Sequence, residues 1–86
     1  MSAMNEYKTI KIASLPFGKH ESDLRAFFHQ YPKDDIHFEI DKNNLVISLR
    51  QLDFPTFKNN VELVRSNNGL NKILNAIAQN IERKIC

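Results

Sequence analysis

The chain has 86 residues, of which 42% are apolar and 26% charged, and its formal net charge is +2. That is enough for one compact core, and the charge is too near neutral to mark a nucleic-acid or membrane binder by its field alone. One cysteine, Cys86, excludes an intramolecular disulfide and a cysteine-type zinc site.

The charge is unevenly spread. Residues 1–33 carry five Lys/Arg against three Asp/Glu, residues 34–53 two against five, and residues 54–86 five against two. An acidic middle between mildly basic ends fits a mixed solvated surface and also a binding asymmetry. No apolar run approaches a membrane span, and no basic-then-apolar leader opens the chain, so a cytoplasmic, reducing setting without membrane association is expected.

In chain order, residues 1–6 read as a flexible N-terminus and residues 7–86 as a single domain. Residues 7–15 alternate as a strand, with Ile10 and Ile12 on one face and Lys11 on the other. Pro16 and Gly18 break it. From Glu21 the period changes: Leu24, Phe27, Phe28 and Tyr31 form one helical stripe, Glu21 and Asp23 suit the first turn, and Pro32 ends it.

Ile36, Phe38 and Ile40 alternate with His37, Glu39 and Asp41; Leu45, Ile47 and Leu49 alternate with Val46, Ser48 and Arg50. This spacing predicts a hairpin. A two-residue turn at Asn43-Asn44 pairs Ile40 with Ile47 and Phe38 with Leu49, and a turn at Lys42-Asn43 preserves the same facing. "DFPTFKNN" reads as a loop broken by Pro55, followed by a strand over Val61–Arg65. The alternative is a short helix from Pro55 using Phe57, Val61 and Val64. Leu70, Ile73, Leu74, Ile77, Ile81 and Ile85 then make a long stripe, about four turns of helix.

The expected fold is therefore α+β, a two-layer sandwich of order β-α-β-β-(β)-α. Its antiparallel-rich sheet has two helices on one face. The other face carries Lys11, His37, Glu39, Val46, Ser48 and Arg50.

"IKIASLPFGKHESDLRAFF" resembles the first strand, loop and helix of RNA recognition motif domains, through Leu15-Pro16, Glu21, Asp23-Leu24 and Phe27-Phe28. "IHFEI" and "VELVRSN" resemble the second and last strands of the quasi-RRM group, so the resemblance covers about residues 10–28, 36–40 and 61–67. It implies a ferredoxin-like sheet and single-stranded RNA as ligand. Such domains stack bases on aromatics of the first and third strands. The matching positions here are Lys11, Asn44 and Val46, none of them aromatic, and the glycine-rich third-strand motif is absent. Quasi-RRM domains bind RNA through loops instead, which makes Phe17, Lys19, His20, Tyr31 and Lys33 the RNA-binding candidates.

Other chemistry is thinly represented. His20, His29 and His37 lack ligand spacing and read as solvated surface residues, so no metal is expected. No glycine-rich phosphate loop and no nucleophile–base arrangement is present, so neither cofactor nor catalysis is expected. A pair such as His37 and Glu39 is the nearest thing to an acid–base set and reads as polar cover. Phe54 and Phe57, flanking Pro55 and accompanied by Arg50 and Arg65, are the candidate protein-binding residues. The last helix covers the sheet or pairs with a second copy. The expected function is thus a non-catalytic binding or regulatory module for a partner protein, with RNA binding second and a small enzyme third.

Overall fold

A computed structural model describes residues 7–65 and 68–85. The expected flexible segment 1–6 and Cys86 lie outside the described residues. The fold is α+β: strands β1 (Lys8–Ile12), β2 (Ile36–Asp41) and β3 (Asn44–Leu49), and helices α1 (Glu21–Phe28), α2 (Phe54–Glu62) and α3 (Leu70–Ile85). Contacts divide the chain at Leu52–Asp53 into two compact units.

In the first unit the strands lie in the order β1-β3-β2. Both outer strands run antiparallel to β3 and therefore parallel to each other, with α1 in the connection between them. This is a split β-α-β arrangement, with β3 inserted between the two parallel strands. Alternation sets the facing. Ile10 and Ile12 pair with Ile47 and Leu45, and Ile36 and Phe38 pair with Leu49 and Ile47. Ile10, Ile12, Ile36, Leu45, Ile47 and Leu49 are all buried. The opposite face presents the rows Thr9–Ser48–His37 and Lys11–Val46–Glu39, so the polar face is where the sequence places it.

The hairpin turns at Lys42-Asn43, since Asp41 pairs with Asn44 and Ile40 with Leu45. Of the two placements with equal facing, this one is held from outside the hairpin. Gly18 N donates to Lys42 O at 2.7 Å, and Leu15 N donates to Asn43 O at 3.3 Å. Lys42 takes a left-handed φ of 56°. A Cβ on Gly18 would stand 3.1 Å from the Lys42 carbonyl oxygen, so the close approach of loop and turn explains that glycine. The Leu-Pro-Phe-Gly stretch is thus a clasp between β1 and the hairpin tip. It ends in a 3-10 turn, Gly18–His20, that runs into α1.

Within α1, Leu24 and Phe28 are buried, and an exposed Glu21–Arg25 pair at 2.8 Å spans one turn. The helix stops at Phe28, shorter than the stripe to Tyr31 suggests. Tyr31 N still donates to Phe28 O at 3.0 Å, which keeps the tyrosine ring 6.4 Å from that of Phe28.

The second unit corrects the reading of residues 54–65. The expected strand over Val61–Arg65 is absent; Phe54–Glu62 is helical, so the described residues hold three α-helices where two were expected. Asp53 caps this helix, its carboxylate accepting from Thr56 N at 3.3 Å and from Thr56 Oγ1 at 2.9 Å. Pro55 lies in the first turn, where its missing N–H costs nothing. Phe57 and Val61, four apart and so stacked one turn from each other on one helix face, are both buried. Asp53→Ala is expected to cost about 1 kcal/mol, read as a lower urea midpoint with an unchanged slope.

Helix α3 follows the predicted stripe: Leu70, Ile73, Leu74, Ile77, Ala78 and Ile81 are buried. It packs with α2, and Asn71 Nδ2 donates to Val64 O. Ile73, Ile77 and Ile81 are buried within one chain, and Ile85 is half-buried. No helix among the described residues is long and apolar enough to cross a membrane.

Candidate functional site

The structure separates the residues expected to bind a partner. Phe57 has no exposed surface and belongs to the core, because Asp53 and Pro55 start a helix that turns it inward. Phe54 is half-buried, its ring 6.3 Å from that of Phe57. Arg50 belongs to the first unit, where it pairs with Asp35 at 3.1 Å and is partly buried. Arg65 is exposed beyond α2, with Nη1 donating to Glu62 O at 3.4 Å. The aromatic loop expected around Pro55 does not exist as a loop.

The RNA-binding set divides similarly. Phe17 is completely buried and His20 is 5% exposed, because the clasp onto the hairpin tip draws the 3-10 turn inward. His20 is therefore not the surface histidine its spacing suggested, and its Nδ1 has no hydrogen-bond partner among the described residues. His29 and His37 are exposed, as expected, and so is Lys19. No group of three or more His, Cys, Asp or Glu among the described residues could hold a metal ion.

Tyr31 and Lys33 are brought together with residues that sequence reasoning had assigned to the core or to polar cover. They line a cleft of about 460 Å³ between the C-terminal end of α1 and strand β2. Its walls are Phe28, Tyr31, Ile36 and Phe38, with the Phe28 and Phe38 rings 5.0 Å apart. Around the walls stand Arg25, His29, Lys33 and His37, and no carboxylate lines it. The Arg25 guanidinium lies 5.3 Å from the centre of the Phe38 ring, within cation–π range.

The cleft runs beside a free strand edge. β2 is outermost in the sheet. The narrow pair at the turn, Asp41 with Asn44, sets the alternation, and Arg50 N donating to Asp35 O at 2.9 Å continues it. The backbone groups of His37, Glu39 and Asp41 thus face β3, and those of Phe38 and Ile40 face outward. Among the described residues no backbone partner meets them. Aromatic walls, a basic rim and an unpaired edge are the materials for holding an extended chain. The sequence carried one signal for this site: Phe27-Phe28 and Tyr31 put more aromatic surface at one helix end than a short helix buries.

No protein-family model matches the chain, and neither a curated protein nor a solved structure matches it.

Proposed function

We propose that this protein is a non-catalytic binding module acting through a partner protein, with the cleft beside β2 as its docking site. The observation that carries this reading is the pairing of a half-open aromatic cleft with a free strand edge. Aromatic anchors supply interface energy and edge amides supply hydrogen bonds. The location differs from the residues 54–57 surface that the sequence suggested, because Phe57 is committed to the core.

A second reading, single-stranded RNA in the same cleft, is supported by Tyr31 standing with Lys33 and His29 at the rim. A ring for stacking and cations for phosphate are what such a ligand needs.

Affinity capture from the native host, with and without nuclease, tests both. The expected result is a nuclease-resistant protein partner, captured by the wild type and lost with the double substitution His29→Ala, Tyr31→Ala. The melting temperature should fall only by about 4–8 °C, the cost of removing a half-buried ring. Nuclease-sensitive capture favours RNA. Protein capture unaffected by the substitutions sinks the cleft as the docking site.

A further inference from the structure

We infer that the partner of the β2 edge is an extended protein segment that adds to the sheet as a fourth strand, and that it carries an acidic, an apolar and a basic residue in consecutive positions. This rests on the reading of the cleft as a protein docking site and specifies its chemistry.

The argument begins with the alternation of β2. Phe38 directs its side chain to the cleft face and its backbone N–H and C=O away from β3. His37 and Glu39, on either side of it, alternate to the polar face, with His37 also reaching the rim of the cleft at the edge. A strand paired to this edge must alternate likewise. Its central residue enters the space beside Phe28, Tyr31 and Phe38, which calls for an apolar side chain. Its two neighbours emerge on the polar face beside His37 and Glu39, two residues apart.

Arg25, already paired with Glu21, lies over the Phe38 ring and reaches toward Glu39 and Asp41; the other charges of the edge are segregated along its length. Lys33 and His37 stand at the start of β2, with no carboxylate lining the cleft there. Glu39 and Asp41 stand at the hairpin end, and both are exposed. Opposite charges on adjacent strands stabilise a pair and like charges oppose it. A carboxylate therefore belongs beside Lys33 and His37, and a lysine or arginine beside Glu39. Along the outer edge of β1, Thr9 and Lys11 are exposed and belong to the polar face. RNA is disfavoured at this edge because Glu39 and Asp41 would repel its phosphates.

The test is selection from a displayed library of random twelve-residue peptides on the immobilised full chain. Enriched peptides are expected to share an acidic–apolar–basic tripeptide in one fixed order. Binding should slow amide hydrogen exchange at Phe38 and Ile40. N-methylation of the tripeptide backbone should abolish binding with no change of side chain.

The charge-swapped variant Lys33→Glu, Glu39→Lys should bind the selected peptides about tenfold or more weakly. It should enrich the tripeptide with its charges reversed. Enriched peptides without the charge pattern, protection elsewhere, tolerance of N-methylation, or no enrichment at all would each overturn the inference. A host protein captured in a cleft-dependent manner would still support the docking site if these peptide results failed. Failure of both would remove the site as well.

Discussion

Phe57→Ala should lower stability by about 3–5 kcal/mol, the usual cost of deleting a buried phenylalanine. Phe57 has no exposed surface, and Val61, one helical turn later, is 1% exposed. Removing the ring strips the inward face of α2 at its centre and leaves a cavity that a nine-residue helix cannot close by bending. A chain of this size has on the order of 5–10 kcal/mol in total, so the melting temperature should fall by more than about 10 °C. Phe54→Ala, at a half-buried position, should cost only about 1 kcal/mol. Thermal melts of the two single variants decide the matter. Equal, small losses would mean that both rings are peripheral and that residues 54–57 return as a candidate surface.

The second large effect belongs to the central strand. Ile47 lies in β3, opposite Ile10 on one side and Phe38 on the other, and is completely buried. Ile47→Ala should cost about 2–5 kcal/mol. It removes a branched side chain from the one strand both neighbours depend on, and no adjacent element can fill the space without losing register. Val46→Ala, one residue away on the opposite face and 36% exposed, should stay within about 0.5–1 kcal/mol. Chemical denaturation of the two variants measures the contrast. A comparable loss at Val46 would show that the polar face is covered by something, and the facing assignment would fail with it.

Where two periods compete, the sequence is ambiguous, and residues 54–65 are the clearest case. "VELVRS" is short and β-branched, so composition favours a strand, while Phe57, Val61 and Val64 fit a helix equally well. The deciding signals were present in the chain. Asp53 is an N-cap residue and Pro55 suits a first turn, and together they outweigh a six-residue propensity. With Phe54–Glu62 helical, no strand forms over Val61–Arg65.

Long, regular patterns were determined by the sequence alone. The alternation of residues 36–49 gave the hairpin and its facing, because a strand buried on one face tolerates no slip of one residue. The stripe from Leu70 to Ile85 gave α3, because six apolar residues at helical spacing leave no other way to bury them together. A shift of two residues preserves the facing, so alternation could not choose the hairpin turn. Only the tertiary structure did, through the bonds from Gly18 and Leu15 to the backbone of Lys42 and Asn43. The same clasp buried Phe17 and His20, which local sequence reads as a loop tip. The site was likewise beyond local reading. Nothing in residues 25–38 states that β3 will insert between β1 and β2, and that pairing alone makes β2 an edge. The edge is what leaves Phe38 beside Tyr31 with backbone groups still unpaired: periodicity records which face a residue buries, while strand order, a contact between distant segments, decides which edge stays open.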